Sequence, residues 1–417
     1  MATPADIDKA AVAGLRTVAV GRARRTAAVV LAGFCAFLGL YAPQPLLPML
    51  ARAFRTTPAG ASLLITVSTL AVALAAPFAG IVADRWGRKR IIVPAALLLA
   101  VPTALAATSA SLNQLLFWRF WQGLLTPGVF AVTVAYINEE WEEGAGAAMA
   151  AYVTGTVIGG FSGRTLAALI ASRFAWQWAF VALGVLHAAG GAAIWAWLPR
   201  GRRFHRSGTG PGHAAQIWRH LRNPRLAATY AAGFCVLFSL LGTFTYVNFY
   251  LAAPPFGLGT AALGLIFAVY LVGAAITPVA GRSIDRLGHR FAFVAALALA
   301  LGGSGLTLIQ HLPAVVAGLA LSCTGVFIAQ SAANAYIGAV ANEARAAAVG
   351  LYVSFYYLGG SCGAALPGHF WKRGGWPATI ALIAAVQIAT IALALVFWRS
   401  APGDGSHGGK AHAVVEP

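Results

Sequence analysis

Arg119 and Arg164 each lie within a long apolar stretch that holds no carboxylate. A guanidinium is always charged, and a charge among apolar residues is kept where it faces a cavity or a partner. Gln122 follows Arg119 by one helical turn, on the same face. That pairing points to a cavity-facing role for both. Two cations without an acid would make the cavity attractive to anions. The acids lie elsewhere: Asp6, Asp8, Asp84, Glu139, Glu140, Glu142, Glu143, Asp285, Glu343, Asp404 and Glu416 fall in tails or at the ends of apolar stretches. A buried carboxylate able to load and release a proton is missing. Proton coupling must then use Asp84, Glu139, Glu140 or His187, whose ordinary pKa of about 6.5 suits transfer, or be absent.

Other chemistries find no residues to carry them. Cys35, Cys235, Cys323 and Cys362 sit in apolar stretches without metal-ligand spacing. Gly359-Gly360-Ser361-Cys362-Gly363 fits the Gly-x-Ser-x-Gly pattern, but its flanks are apolar helix where that elbow needs a strand. No phosphate-binding Gly-x-x-x-x-Gly-Lys-Ser/Thr loop occurs. The reading is of a non-enzyme with no cofactor and no metal.

The elements that hold these residues are membrane helices. The chain of 417 residues is 59% hydrophobic and 10% charged, against about 25% charged in soluble proteins. Its apolar blocks are long enough to cross a hydrocarbon core of about 30 Å, and apolar on every face, which excludes barrel strands. They predict twelve transmembrane helices: 27–50, 61–83, 91–108, 114–138, 146–170, 176–198, 227–251, 261–281, 291–309, 313–338, 346–370 and 376–398. The implied organisation is an N-tail (1–26), a six-helix bundle (27–199), a linker (200–225), a second six-helix bundle (226–398) and a C-tail (399–417). The polar, basic start is not a cleavable signal peptide.

Arg52, Arg55, Arg173, Lys372 and Arg373 fall on the side opposite the termini; nearly all other Lys and Arg fall on the side of the termini. The positive-inside rule then places both ends in the cytoplasm of a multi-pass inner-membrane protein. It also accounts for the net charge of +18 without nucleic acid. At an offset of 200 residues, Gly33-Phe34-Cys35 matches Gly233-Phe234-Cys235, Ala135-Tyr136-Ile137 matches Ala335-Tyr336-Ile337, and Trp176 matches Trp376. Gly159, Gly160 and Gly163 likewise match Gly359, Gly360 and Gly363. This is a parallel repeat: two bundles related by a pseudo-two-fold axis along the membrane normal.

After the second span comes Gly80-Ile81-Val82-Ala83-Asp84-Arg85-Trp86-Gly87-Arg88-Lys89-Arg90, and after the eighth Gly281-Arg282-Ser283-Ile284-Asp285-Arg286-Leu287-Gly288-His289-Arg290. Both copies resemble the loop signature Gly-x-x-x-Asp-Arg-x-Gly-Arg-Arg/Lys of the major facilitator superfamily. Arg119-Phe120-Trp121-Gln122-Gly123 is similar to the Arg-x-x-Gln-Gly motif of that family's fourth span. Tyr41-Ala42-Pro43-Gln44-Pro45-Leu46-Leu47-Pro48 and the fifth-span glycines resemble its YnfM-type, drug-efflux-like twelve-span branch. The fifth span, Gly155 to Arg164, lacks the proline that family antiporters often carry there.

The resemblance implies a secondary transporter that moves a small molecule by alternating access, with efflux the leading direction and protons a candidate co-substrate. An importer of a small organic anion is the alternative within transport. A receptor or enzyme on the same scaffold would need a catalytic cluster or an extramembrane domain. The partners implied are lipid, substrate and protons, for a monomer. The resemblance also implies a gating latch from Gly80, Asp84, Arg85, Gly87, Arg88 and Lys89, with Gly281, Asp285, Arg286, Gly288 and Arg290 as the second copy. The first loop would pair with the start of the eleventh span and hold the outward-open state. Spans one, four, seven and ten line the pathway in the family, which nominates Gln44, Arg119, Gln122, Tyr246, Asn248, Gln330 and Asn334. Tyr356 and Tyr357 lie near the midplane of the eleventh span. The sixth span lies on the scaffold side, which favours a packing role for His187. Gly155, Gly159 and Gly163, spaced by four, form a ridge for close helix approach. This ridge is expected to pack between the halves, on the surface that slides, and Gly160, Gly359, Gly360 and Gly363 are further helix-packing positions.

Overall fold

A computed structural model describes residues 23–141, 144–199, 201, 213–340 and 345–398; for 213–217, 278, 279, 281–287 and 345–347 the description is of the backbone alone. The N-tail to Arg22, Glu142, Glu143, residues 200 and 202–212 of the linker, Glu343 and the C-tail with Asp404 and Glu416 lie outside it, as do the side chains of Asp285 and Arg286.

Among the described residues the chain is helical throughout, with no strand. Ten helices are long and apolar enough to cross a membrane. They include α3 (Pro58–Trp86), α6 (Leu112–Glu140), α7 (Ala145–Arg173), α8 (Trp176–Trp197), α10 (Pro224–Ala252), α13 (His289–Leu306) and α14 (Leu312–Val340). The first span is interrupted: α1 covers 23–38 and α2 covers Leu47–Ala53, with a turn and a short 3-10 segment, Gln44–Leu46, between them. Pro43 and Pro45 explain this, because neither offers an N–H to the ladder. The third span is α4 (Arg88–Leu98) continued by α5 (Ala100–Leu105), and the eighth is α11 (Thr260–Ile266) followed by α12 (Val269–Leu287). The eleventh is α15 (Arg345–Ala365), extended by the start of α16 (Pro367–Phe397) as far as a break at Gly374 and Gly375. The linker carries a helix of its own, α9 (His213–Arg222).

Helix starts are capped where the chain turns. Thr57 accepts from the Gly60 N–H, Ser111 from Gln114 and Asn223 from Arg225, and Pro58 and Pro224 occupy first helical positions. Large apolar side chains such as Phe78, Trp178 and Trp195 remain exposed on the outside of the bundle. Lipid rather than water suits that surface.

The repeat is visible as repeated packing. A Cβ at Gly159 would press on Phe34 of α1, and one at Gly163 on the Leu38 carbonyl; Gly359 and Gly363 meet Phe234 and Phe238 of α10 in the same way. The glycine ridges thus seat the fifth span on the first and the eleventh on the seventh. This corrects the expectation that they pack between the halves: each ridge is internal to its own half. Gly160 and Gly360 face Arg164 and Leu237, also within their halves.

Candidate functional site

The break in the first span creates a demand that Arg119 meets. Pro43 has no N–H for the Gly39 carbonyl, and the Gln44 N–H turns to Tyr41 instead of Leu40. Arg119 reaches across from α6. Its Nη1 donates to the Gly39 carbonyl (2.9 Å) and to Gln122 Oε1, its Nη2 to the Leu40 carbonyl and to Ser68 Oγ (2.9 Å), and its Nε to the Leu64 carbonyl (3.2 Å). Gln122 Nε2 continues the network to Thr103 Oγ1 (2.8 Å). Arg119 is 0% exposed. Its expected cavity-facing role does not match this placement: the guanidinium is enclosed within the first half, and carbonyl oxygens disperse its charge where no acid stands.

Arg164 is placed differently. Its Nε donates to Gln44 Oε1 (2.7 Å) and its Nη1 to the Gly160 carbonyl (2.7 Å); the Nη2 amino group donates to no described protein atom. The guanidinium lies 4.8 Å from the ring centres of Tyr41 and Tyr270 and 4.9 Å from Phe267. Tyr41 belongs to the first half and the other two rings to the second, so cation–π contacts from both halves converge on one cation. Beyond them, Phe130 lies 5.7 Å from Tyr357, Tyr357 5.6 Å from Tyr356, and Tyr270 5.5 Å from Phe327. The Tyr356 hydroxyl donates to Gln330 Oε1 (2.7 Å).

Polar contacts between the halves flank this site on the side away from the termini. Gln44 Nε2 approaches Thr245 Oγ1 (3.5 Å), and Thr165 Oγ1 donates to the Gly264 carbonyl (3.3 Å). Ser361 Oγ donates to the Thr66 carbonyl (2.9 Å). The Tyr246 hydroxyl lies 3.1 Å from both Ser62 Oγ and the Ala364 carbonyl.

At the end where the termini emerge, Gly87 has φ +95° and Gly288 φ +83°, values that L side chains rarely adopt. A tight turn is therefore present in both copies of the motif. Arg88 Nη2 meets Asp84 Oδ1 (2.5 Å) across the turn, and Arg88 grips Glu139 at the end of α6 through Nε (3.0 Å) and Nη2 (2.5 Å). Lys89 Nζ donates to the Trp195 carbonyl of α8 (3.0 Å). These contacts lie within the first half. Asp84 is engaged by the neighbouring arginine, and the start of the eleventh span to Ala347 has no described side chains. A Cβ at Gly80 would meet nothing within 4 Å.

The sequence profile described as Major Facilitator Superfamily matches residues 29–329 and 242–415. The chain belongs to that family. The inner membrane transport protein YnfM of Escherichia coli (strain K12) is 34% identical over 370 residues, 88% of this chain and 89% of the relative. The MFS-type transporter YybF of Bacillus subtilis (strain 168) is 32% identical over 377 residues, covering 90% and 92%. Among solved structures, the nucleoside transporter NupG superposes with a TM-score of 0.73 at 14% identity, covering 90% of this chain and all of that one. The human organic anion transporter MFSD10 does so with 0.70 at 18%, covering 89% and 99%.

In this superfamily member the nominated pathway residues divide. Gln44, Gln330, Tyr356 and Tyr357 join Arg164 in one aromatic cluster. Arg119 and Gln122 form the scaffold network, and Tyr246 sits in the joint between halves. Asn248 turns its amide to the Phe244 carbonyl of its own helix (2.6 Å), and Asn334 is exposed near the terminal end of α14. His187 is enclosed, with Nδ1 at 2.7 Å from the Leu183 carbonyl and Nε2 at 3.1 Å from that of Cys35. Sequence reasoning missed Tyr41, Phe130, Phe267 and Tyr270. The available signal was aromatic residues placed inside spans rather than at their ends, where an interfacial belt would put them.

Proposed function

We propose that this transporter moves a small molecule across the inner membrane by alternating access, in the direction of efflux, with both termini cytoplasmic and protons as the candidate coupling ion. One observation carries the reading. Within each half, ridges of several glycines bring helix backbones into contact, whereas the halves meet through side-chain hydrogen bonds such as Ser361 to Thr66 and Thr165 to Gly264 and through single glycine contacts, Gly264 on Ala168 and Gly368 on Ala59. Neutral hydrogen bonds contribute about 0.5–1.5 kcal/mol each, so such a joint opens at modest cost while the halves stay rigid. The joint is closed away from the termini, and Gly80 at the other end is uncovered; this supports an inward-open arrangement.

The test is accumulation of a panel of fluorescent substrates in cells with and without the protein, repeated with a protonophore. Lower accumulation with the protein, abolished by the protonophore, is expected. Higher accumulation would reverse the direction, and insensitivity to the protonophore would remove proton coupling. Counterflow in liposomes distinguishes carriage from binding alone: a receptor would bind labelled substrate without exchanging it.

A further inference from the structure

Two arginines lie inside the membrane, and the structure separates their roles. Arg119 commits its Nε, Nη1 and Nη2 groups to five acceptors of the first half. Arg164 makes two hydrogen bonds, and its Nη2 is left with no described acceptor although the residue is only 3% exposed. No described acid forms an ion pair with it. An uncompensated cation in a low-dielectric site is costly unless something neutralises it for part of the cycle. Around it stand Tyr41, Phe267 and Tyr270, with Tyr357 and Phe130 beyond. Aromatic walls with one directed charge form a site for an apolar or aromatic body bearing one anionic group.

We infer that Arg164 is the substrate-charge receptor of this transporter, and that the substrate class is a small organic anion, a carboxylate or its equivalent on an unsaturated body. The unused N–H groups take the anionic oxygens, and Gln44 fixes the guanidinium plane through its bond to Nε. The rings of Tyr270 and Phe267 come from the second half, so an anion bound at Arg164 engages both moving bodies at once. This rests on the transport reading above and names its substrate class.

The test uses the full chain purified in detergent, where flux plays no part. Isothermal titration compares benzoate, 2-naphthoate and indole-3-acetate with their neutral amides. At least one carboxylate is expected to bind about tenfold or more tightly than its amide, the size of one charge-assisted hydrogen bond. Arg164→Gln is expected to erase that preference, and Arg164→Lys to keep part of it. Should Arg164→Gln not fold, the wild-type protein supplies the second measurement: phenylglyoxal modification of Arg164, mapped by mass spectrometry, is to be slowed by the carboxylate and not by the amide. Equal binding of every carboxylate and its amide, an unchanged preference in Arg164→Gln, or modification of Arg164 indifferent to the carboxylate overturns the inference and leaves Arg164 as a structural tie. Binding with these properties but without counterflow would instead overturn the transport reading. Flux restricted to neutral or cationic compounds would sink the substrate class and leave transport standing.

Discussion

Pro43 deprives the Gly39 carbonyl of its helical donor, and the bond from Arg119 on the neighbouring α6 repairs the loss together with that at Leu40. The arginine and the proline break are therefore one device. Replacing Arg119 by Leu leaves these two carbonyls and Gln122 Oε1 without that donor in a dry interior, while the Leu64 carbonyl keeps the Ser68 hydroxyl. The expected cost is about 2–5 kcal/mol, read as a lowered thermal unfolding midpoint in detergent. Lys in its place restores charge but cannot serve acceptors on α1 and α3 from one planar fork, so it rescues only a minor part. A midpoint unchanged in Arg119→Leu would show that the network contributes nothing. The sequence made Arg119 and Gln122 legible as a pair, because polar residues at helical spacing in an apolar span stand out. It did not reveal the carbonyl partners, since a backbone oxygen carries no side-chain signature. Arg164 looked equivalent to Arg119 for the same reason: what separates them is how many acceptors the neighbouring helices leave within reach.

Among the elements, the ridge of α7 and its counterpart on α15 carry the closest helix contacts. A Cβ at Gly159 would lie 2.7 Å from Phe34 Cα and 2.8 Å from its carbonyl carbon. Backbone cannot yield there as a side-chain tip can, so Gly159→Ala is expected to cost about 1–3 kcal/mol through helix displacement. Gly80→Ala is the control, because its Cβ meets open space. Surface changes of that kind stay within about 0.5 kcal/mol. Comparing the two unfolding midpoints decides the matter: similar losses would mean that the α1–α7 contact is slack. The four-residue spacing announced a close helix contact, and that part was readable. Which helix would approach was not, because small residues fit any smooth neighbour. The parallel repeat would have resolved it. Gly33-Phe34-Cys35 and Gly233-Phe234-Cys235 recur at the same offset as the two ridges, and Phe34 and Phe234 are among the residues on which the ridges close.

At the scale of the whole molecule, the twelve spans, their duplication and the turn glycines were all written in hydropathy and spacing. The conformation was not, because a transporter's sequence must serve every state in its cycle. The joint around Tyr246 offers a lever on that choice. Gly368 faces Ala59 and the Tyr246 hydroxyl: an added Cβ would lie 2.6 Å from Ala59 Cβ and 2.7 Å from that oxygen. An indole cannot fit there without parting α3 from α16, and parting them breaks the Tyr246–Ser62 contact. Gly368→Trp is thus expected to hold the end away from the termini open, with each half internally intact. Thr245 reports this, being 0% exposed beside Gln44 in the closed joint. Placed on Thr245→Cys, a water-soluble maleimide should label that cysteine several-fold faster when Gly368→Trp is also present, as read by peptide mapping that separates it from the four native cysteines. The glycine ridges should hold the unfolding midpoint nearly constant, because the strain is released by rotation of two bodies and not by loosening of either. Slow labelling in both backgrounds, at an unchanged midpoint, would mean that the indole is absorbed locally and that the halves do not turn about this joint.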